Sequence, residues 1–497
     1  MTAAALAPAP MSLRRRSAVI AAGQATVKAS QVVIAVVLVR LLSPAEWSSV
    51  ALLLSVYLAA ITLGSLNLQQ SLLFFLPRLE PTQHRRLVVR TAGVMAATGS
   101  LIAAGILIID PWGAAQTAAL PMVAPLIAVA IAIEIPTAAG PTALLSIDRL
   151  TGAACWDILA TITLVGCVVA PAALGWGLRG IAQGIVVAAC LKAVMFGAVV
   201  RRAFPPSSHT LPPGLLRRQL GYALPLGLTI GASVLNRSVD KWLVAVFDPA
   251  NLGIYAVAAQ EIPLLAVLPY AGGAAVVTML VDAFRRGDHG DARALWLHQT
   301  GAMSSIVVPL SAGLVLLAPE LMNLVFTPEY VTGVLPFQLF TIITIHRVAE
   351  YGMVLRAADR TRDLLTSALV LLGSNLVLAG VGAWRWGMVG ASLGTLVANA
   401  FAWWFVLTRV ARAFGTGVWQ SFAWRPWMSC VAVSAGACLA ASLVARPFHT
   451  DALVSAAVKT ATFALLVVIG MRCIRRTTDG VPPELGEVRS VPAEVGS

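Results

Sequence analysis

Apolar residues run through this chain in long stretches, broken by short polar segments that carry most of its arginines. A helix that crosses a bilayer needs about 20 largely apolar residues. Fourteen stretches meet that length: 17–42, 46–73, 87–109, 120–146, 152–173, 178–200, 220–247, 251–281, 296–318, 331–356, 363–383, 387–408, 426–445 and 452–472. The pattern predicts an all-α polytopic membrane protein of about 14 transmembrane helices. The eighth stretch contains Pro263 and Pro269 and is expected to kink.

The polar segments give the orientation. With the N-terminus in the cytoplasm, the alternate loops on the inner side and the two termini collect twenty-five arginines. The outer loops hold four: Arg40, Arg179, Arg385 and Arg446. Cytoplasmic loops gather Lys and Arg, so both termini are expected inside. The first stretch is too long and too polar (Gln24, Lys28, Gln31) for a cleaved signal and is expected to remain as a span.

Residues 201–219, rich in Pro and Ser and basic at both ends, read as a cytoplasmic linker. The linker separates an N-lobe (17–200, helices 1–6) from a C-lobe (220–411, helices 7–12). A cytoplasmic segment (1–16) precedes them; two further helices (426–472) and a disordered cytoplasmic tail (473–497) follow. The lobes read as repeats. Leu42-Ser-Pro-Ala-Glu-Trp47 matches Phe247-Asp-Pro-Ala-Asn-Leu252, and Gly177-Leu-Arg-Gly-Ile-Ala-Gln-Gly184 matches Gly387-Met-Val-Gly-Ala-Ser-Leu-Gly394. An even number of spans per repeat makes the two six-helix units parallel, related by an axis along the membrane normal. Two such lobes around a central cavity describe a transporter of the rocking kind.

Composition narrows the class. Hydrophobic residues are 58% and charged residues 11%, far from soluble averages of about 45–50% and 25%. The +13 net charge follows from the inner loops and calls for no nucleic acid. Six cysteines lie in or beside apolar runs without a C-x-x-C pair, so neither a disulfide framework nor a metal site is expected, and no cofactor. None of the four lysines follows a glycine, so no phosphate-cradling G-x-x-x-x-G-K-[ST] loop exists. Energy must come from an ion gradient, the membrane potential or the substrate gradient. Arginine outnumbers lysine 31 to 4, which points to a GC-rich bacterial genome and the inner or plasma membrane. Paired tryptophans, Trp384 with Trp386 and Trp424 with Trp427, fit anchors at the membrane interface.

Charges inside spans are costly, about 2.5–3.5 kcal/mol at a helix centre, and mark function by default. The seventh span carries Asn236, Arg237, Asp240 and Lys241, with Arg237 one turn from both of the last two. This flank either forms an Arg237–Asp240 pair with Lys241 reaching to the interface, or lines a polar translocation cavity. In the first span Gln24, Lys28 and Gln31 share one face, and Lys28 could instead pair with Glu134 or Asp157. In the tenth, Arg347 stands i,i+3 from Glu350, beside His346 and Tyr351, and could be a self-satisfied ion pair. Glu261 beside Gln260 is either a packing contact or an ion-coupling site. Lys192 and Lys459 read as snorkelling side chains, and Asn67, Asn375 and Asn399 as interhelical hydrogen bonds.

Arg40-Leu-Leu-Ser-Pro-Ala-Glu46, Leu76-Pro-Arg78 and Asp240-Lys241 followed by Asp248-Pro-Ala-Asn-Leu-Gly-Ile-Tyr255 resemble polysaccharide-transporter (Wzx-like) flippases. These belong to the multidrug/oligosaccharidyl-lipid/polysaccharide exporter superfamily. The similarity runs over about residues 12–414 and departs at Trp47-Ser48, where such proteins carry an aromatic residue followed by Gly. The resemblance implies a flippase that moves polyprenyl-diphosphate-linked oligosaccharide to the outer leaflet by alternating access. Its setting would be membrane lipids and the polymerase and glycosyltransferases of a surface-polysaccharide pathway.

Lys28, Arg237, Lys241 and Arg347 would then form a basic cavity for an anionic head group, since Arg suits phosphate oxygens. Gln24, Gln31, Glu134, Asp240, Glu261 and Glu350 would supply polar lining or ion coupling. A drug/cation antiporter on the same fold would want carboxylates in the cavity, and Glu134, Glu261 and Glu350 keep it open. A polymerase or ligase of the same pathway would need a sizeable outer loop, and the longest, about 319–330, is short. An enzyme is therefore not expected.

Overall fold

The computed structural model describes residues 30, 33–109, 120–206, 210–448 and 451–478. Those residues are almost wholly helical, and the helices in order are α1 (33–41), α2 (Pro44–Gly64), α3 (Leu68–Phe75), α4 (Pro81–Ile109), α5 (Leu120–Glu134), α6 (Ala139–Ser146), α7 (Leu150–Ala173), α8 (Gly177–Ala203), α9 (Leu215–Phe247), α10 (Leu252–Ala258), α11 (Pro263–Arg285), α12 (His289–Leu316), α13 (Ala318–Leu321), α14 (Val334–Thr344), α15 (Tyr351–Ala357), α16 (Thr361–Phe414), α17 (Trp424–Val444) and α18 (Ala452–Thr478). Among the described residues nine helices are long and apolar enough to cross a membrane, counting α2 with α3 and α5 with α6. A tenth comes from α10 and α11, joined at a bend of 57°. α9 and the α14–α15 pair do not meet that measure; α9 and the break between α14 and α15 carry four of the candidate site's charged residues. The long α16 is two arms joined at Trp386 and Gly387, whose backbones leave helical geometry.

Several spans expected to be continuous are broken. The second splits at Ser65–Asn67, where Leu66 and Asn67 take positive φ. Here α9 comes so close that a Cβ on Gly227 would stand 2.8 Å from the Leu66 carbonyl oxygen. Asn67 therefore serves the turn, and Ser65 Oγ accepts its backbone N–H. It makes no interhelical side-chain bond among the described residues, contrary to expectation. The eighth span breaks at Ala259–Ile262, just before Pro263, as proline predicts. The tenth breaks over residues 345–350 with no proline there to explain it.

Some limits also move. The expected linker is shorter, because α9 already begins at Leu215. Likewise α18 carries helix to Thr478, through the first residues of the expected tail.

The start of α2 shows how sequence sets a helix end. Ser43 Oγ accepts from the Glu46 N–H while the Glu46 carboxylate accepts from the Ser43 N–H, and Pro44 occupies the first turn. This is a capping box, which satisfies two otherwise orphaned donors. The Trp47-Ser48 departure is absorbed there: Trp47 Nε1 donates to the Gly253 carbonyl at 3.1 Å, and Ser48 Oγ donates to that of Pro44 at 2.8 Å.

The first half packs around Leu53, Leu72, Leu87, Ile127 and Ile185, all fully buried. α9 packs on α16 of the second half and on α2 and α3 of the first, and α10 meets α2. Leu101, Ile108, Met122 and Val194 are strongly exposed, as lipid-facing side chains are. With apolar surface on both sides, helices in a bilayer associate by close packing rather than by hydrophobic burial.

Candidate functional site

Between the halves lies a cavity of about 610 Å³, walled by α2, α5, α7, α8, α9, the break before α11, α14, the break before α15 and the second arm of α16. Its described charged residues are Glu134, Asp157, Lys192, Arg237, Asp240, Lys241, Glu261 and Arg347. Four are acids and four are bases, but they are not spread evenly.

In the first half Glu134 gathers the donors. Lys192 Nζ, from α8, stands 2.5 Å from its carboxylate, and Tyr57 of α2 donates its hydroxyl to the other oxygen. Lys192 is buried at 7% exposure. Its expected snorkelling is thus overturned: the side chain is enclosed by protein and pairs with a carboxylate there. Lys459 follows the same rule, bonded to Glu320 together with Ser455. Glu134, named as a possible partner of Lys28, is taken by Lys192.

In the second half the bases face the cavity and the acid beside them faces the wall. Asp240 is 4% exposed; it accepts from Tyr255 Oη at 3.0 Å and from the Lys241 backbone N–H at 2.9 Å. The Arg237–Asp240 pair, one of the two readings open for this flank, is not formed. Lys241 Nζ donates back to the Arg237 carbonyl at 2.9 Å. Arg347, accessible from the cavity yet enclosed by protein, donates to Asn399 Oδ1 at 2.9 Å; Glu261 and Arg237 line the same cavity. Among the described residues no carboxylate lies within 4 Å of Arg237, Lys241 or Arg347.

The alternative Arg347–Glu350 pair is also absent. The break before α15 turns Glu350 out of the cavity wall, where it pairs with Arg356. Asn375 bonds Asn236 of α9 at 3.1 Å, the interhelical link expected of it. Asn399 makes such a link too, but with Arg347, and so joins the site. Gln24, Lys28 and Gln31 lie outside the described residues. Sequence reasoning missed Lys192 and Tyr57. The signal available was the presence of one acid and one base at mid-depth in neighbouring spans, Glu134 and Lys192.

The family model described as Polysaccharide biosynthesis protein matches residues 13–279, more than half of the chain. No curated protein matches. A structure titled lipid II flippase MurJ, inward closed conformation, is similar at a TM-score of 0.68 and 14% identity, covering 91% of this chain and 99% of that one. An inward-facing multidrug resistance MATE family transporter of the MOP superfamily gives 0.63 at 14% identity, over 79% and 96%. An outward-facing form under the same description gives 0.51 at 15% identity, over 79% and 94%. At these identities the likeness is one of fold, that of multi-pass transporters. The match over 13–279 fixes the family, and the chain is a member of the one described as Polysaccharide biosynthesis protein.

Proposed function

We propose that this protein moves polyprenyl-diphosphate-linked oligosaccharide across the cytoplasmic membrane by alternating access, for surface-polysaccharide synthesis, and is not an enzyme. One observation carries the reading. Arg237, Lys241 and Arg347 face a shared cavity with no carboxylate within 4 Å among the described residues, while the nearby Asp240 is committed to Tyr255. A diphosphate head group supplies the missing anion, and guanidinium forks suit its oxygens. Lys28 is assigned to the same cluster from its place in the first span. The family and the flippase-like fold support this substrate class, and the higher similarity to inward-facing neighbours supports a cavity loaded from the cytoplasm. The antiporter reading needs free carboxylates, and Glu134 is neutralised by Lys192.

Fourteen spans in two parallel six-helix lobes, plus α17 and α18, complete the proposal. Gly177 and Gly387 lie at matching points of the two halves and both take positive φ, 62° and 56°, which supports the repeat. Reporter fusions should place 210–214 and 286–289 in the cytoplasm and 322–330 outside. A fusion at Pro213 that reports an outer location would overturn this topology.

The head-group site is tested with Arg237→Gln, Arg347→Gln and Lys28→Gln, following protein abundance and glycan export together. Each variant should accumulate near the wild-type level. Export should fall by about tenfold or more, the loss of one charge-assisted contact of roughly 1.5–3 kcal/mol. If abundance falls with export in all three, these bases are structural and the cationic site is wrong.

A further inference from the structure

The break over residues 345–350 is held by two aromatic donors, one from α17 and one from the start of α15. Trp427 Nε1, on α17, donates to the Ile345 carbonyl at 2.9 Å. Tyr351 Oη donates to the His346 carbonyl at 2.6 Å and itself accepts from Trp403 Nε1 at 2.9 Å. The His346 ring lies on Trp403 with centroids 4.9 Å apart, and Trp403 meets Trp427 at 5.6 Å. A membrane helix can unwind only where its freed carbonyls find new partners, and these side chains are the partners.

Arg347 sits in the middle of this break. Its side chain reaches Asn399, one helical turn before Trp403 on the same arm of α16. The segment leading into α17 is fixed in turn: Trp296 Nε1 donates to the Ser421 carbonyl at 2.8 Å and Arg293 Nε to that of Gln420 at 2.7 Å. The expected role of Trp427 as an interfacial anchor does not account for a hydrogen bond into an unwound helix inside the protein.

We propose that Trp427, with Trp403 and Tyr351, is a positioning residue that aims Arg347 into the cavity, so that the C-terminal helix pair is coupled to the head-group site. The proposal rests on the functional reading above only for the consequence in export. The aiming itself is independent of it.

The test separates the two. In full-length protein with its six cysteines replaced by serine, Arg347→Cys is labelled with sulfonatoethyl methanethiosulfonate, with and without Trp427→Phe. Phenylalanine keeps the ring contacts and removes the N–H. Losing one buried hydrogen bond should slow labelling by about tenfold as residue 347 leaves the cavity. A merely destabilised protein would label faster. An unchanged or faster rate overturns the proposal.

Export is then compared in Trp427→Phe, Arg347→Gln and the double variant. If Trp427 acts through Arg347, the double variant exports no worse than Arg347→Gln alone. Additive losses mean that Trp427 acts elsewhere, and overturn the coupling. Slowed labelling with normal export in all three sustains the positioning and rejects the head-group role of Arg347. Should Trp427→Phe fail to accumulate, Trp403→Phe removes the parallel N–H and is read in the same way.

Discussion

Replacing Lys192 with methionine should cut the amount of folded protein sharply, and replacing Glu134 together with it should restore it. In Lys192→Met the Glu134 carboxylate keeps only the Tyr57 hydroxyl, in a wall where both members of the pair are nearly enclosed. Removing one partner of a buried ion pair costs about 3–5 kcal/mol, because the remaining charge is left uncompensated. Glu134→Gln alone strands the ammonium instead and should be comparably damaging. The double variant Glu134→Gln/Lys192→Met removes both charges and leaves Tyr57 an amide oxygen to bond. Buried pairs replaced by neutral groups of similar volume are often neutral or stabilising by about 1–4 kcal/mol, so melting temperature in detergent and abundance should recover. Wild-type behaviour of both single variants would show that the pair is open to water and not structural.

The logic of that pair also explains what could be read from the sequence. The all-helical, multi-pass character was legible because it depends on composition over stretches of about twenty residues. The break before Pro263 was legible because its cause is local. The breaks at Ser65–Asn67 and 345–350 were not, because their causes lie elsewhere in the chain. One arises where Gly227 of α9 approaches, the other where Trp427 and Tyr351 satisfy freed carbonyls. The same division governs the site. That Arg237 and Arg347 are costly and unlikely to face lipid follows from hydropathy alone. Which charge meets which partner does not, and helical spacing proved a poor guide. Asp240 turned to Tyr255, and Glu350 to Arg356, because the wall offered a hydroxyl and the break turned the chain. Lys192 was misread since snorkelling and pairing predict the same sequence, and only the position of Glu134 separates them.

Alanine at Gly184 or Gly394 should be among the most damaging single-methyl changes at the described glycines. A Cβ on Gly184 would lie 1.7 Å from the Cys167 carbonyl oxygen, and one on Gly394 would lie 2.3 Å from that of Leu378. Both obstacles are backbone, so no rotamer change relieves them; α8 must move off α7, and the second arm of α16 off the first. Overpacking costs about 1–3 kcal/mol and sometimes more. Here it also spreads an interface whose stability in a bilayer comes from close contact of small residues. We expect about 3 kcal/mol or more for each, read as a clear fall in melting temperature and yield. Gly166→Ala and Gly373→Ala are the controls, since nothing lies within 4 Å of either and alanine favours a helix by about 0.5–1 kcal/mol over glycine. These should be neutral or stabilising. The two sensitive glycines each stand seven residues after a glycine of positive φ, Gly177 and Gly387. A turn that reverses the chain is thus followed, in both halves, by a contact that only a missing side chain permits. If Gly184→Ala and Gly394→Ala melt with the controls, the close approach is wrong, and the strongest physical support for the proposed repeat is lost with it.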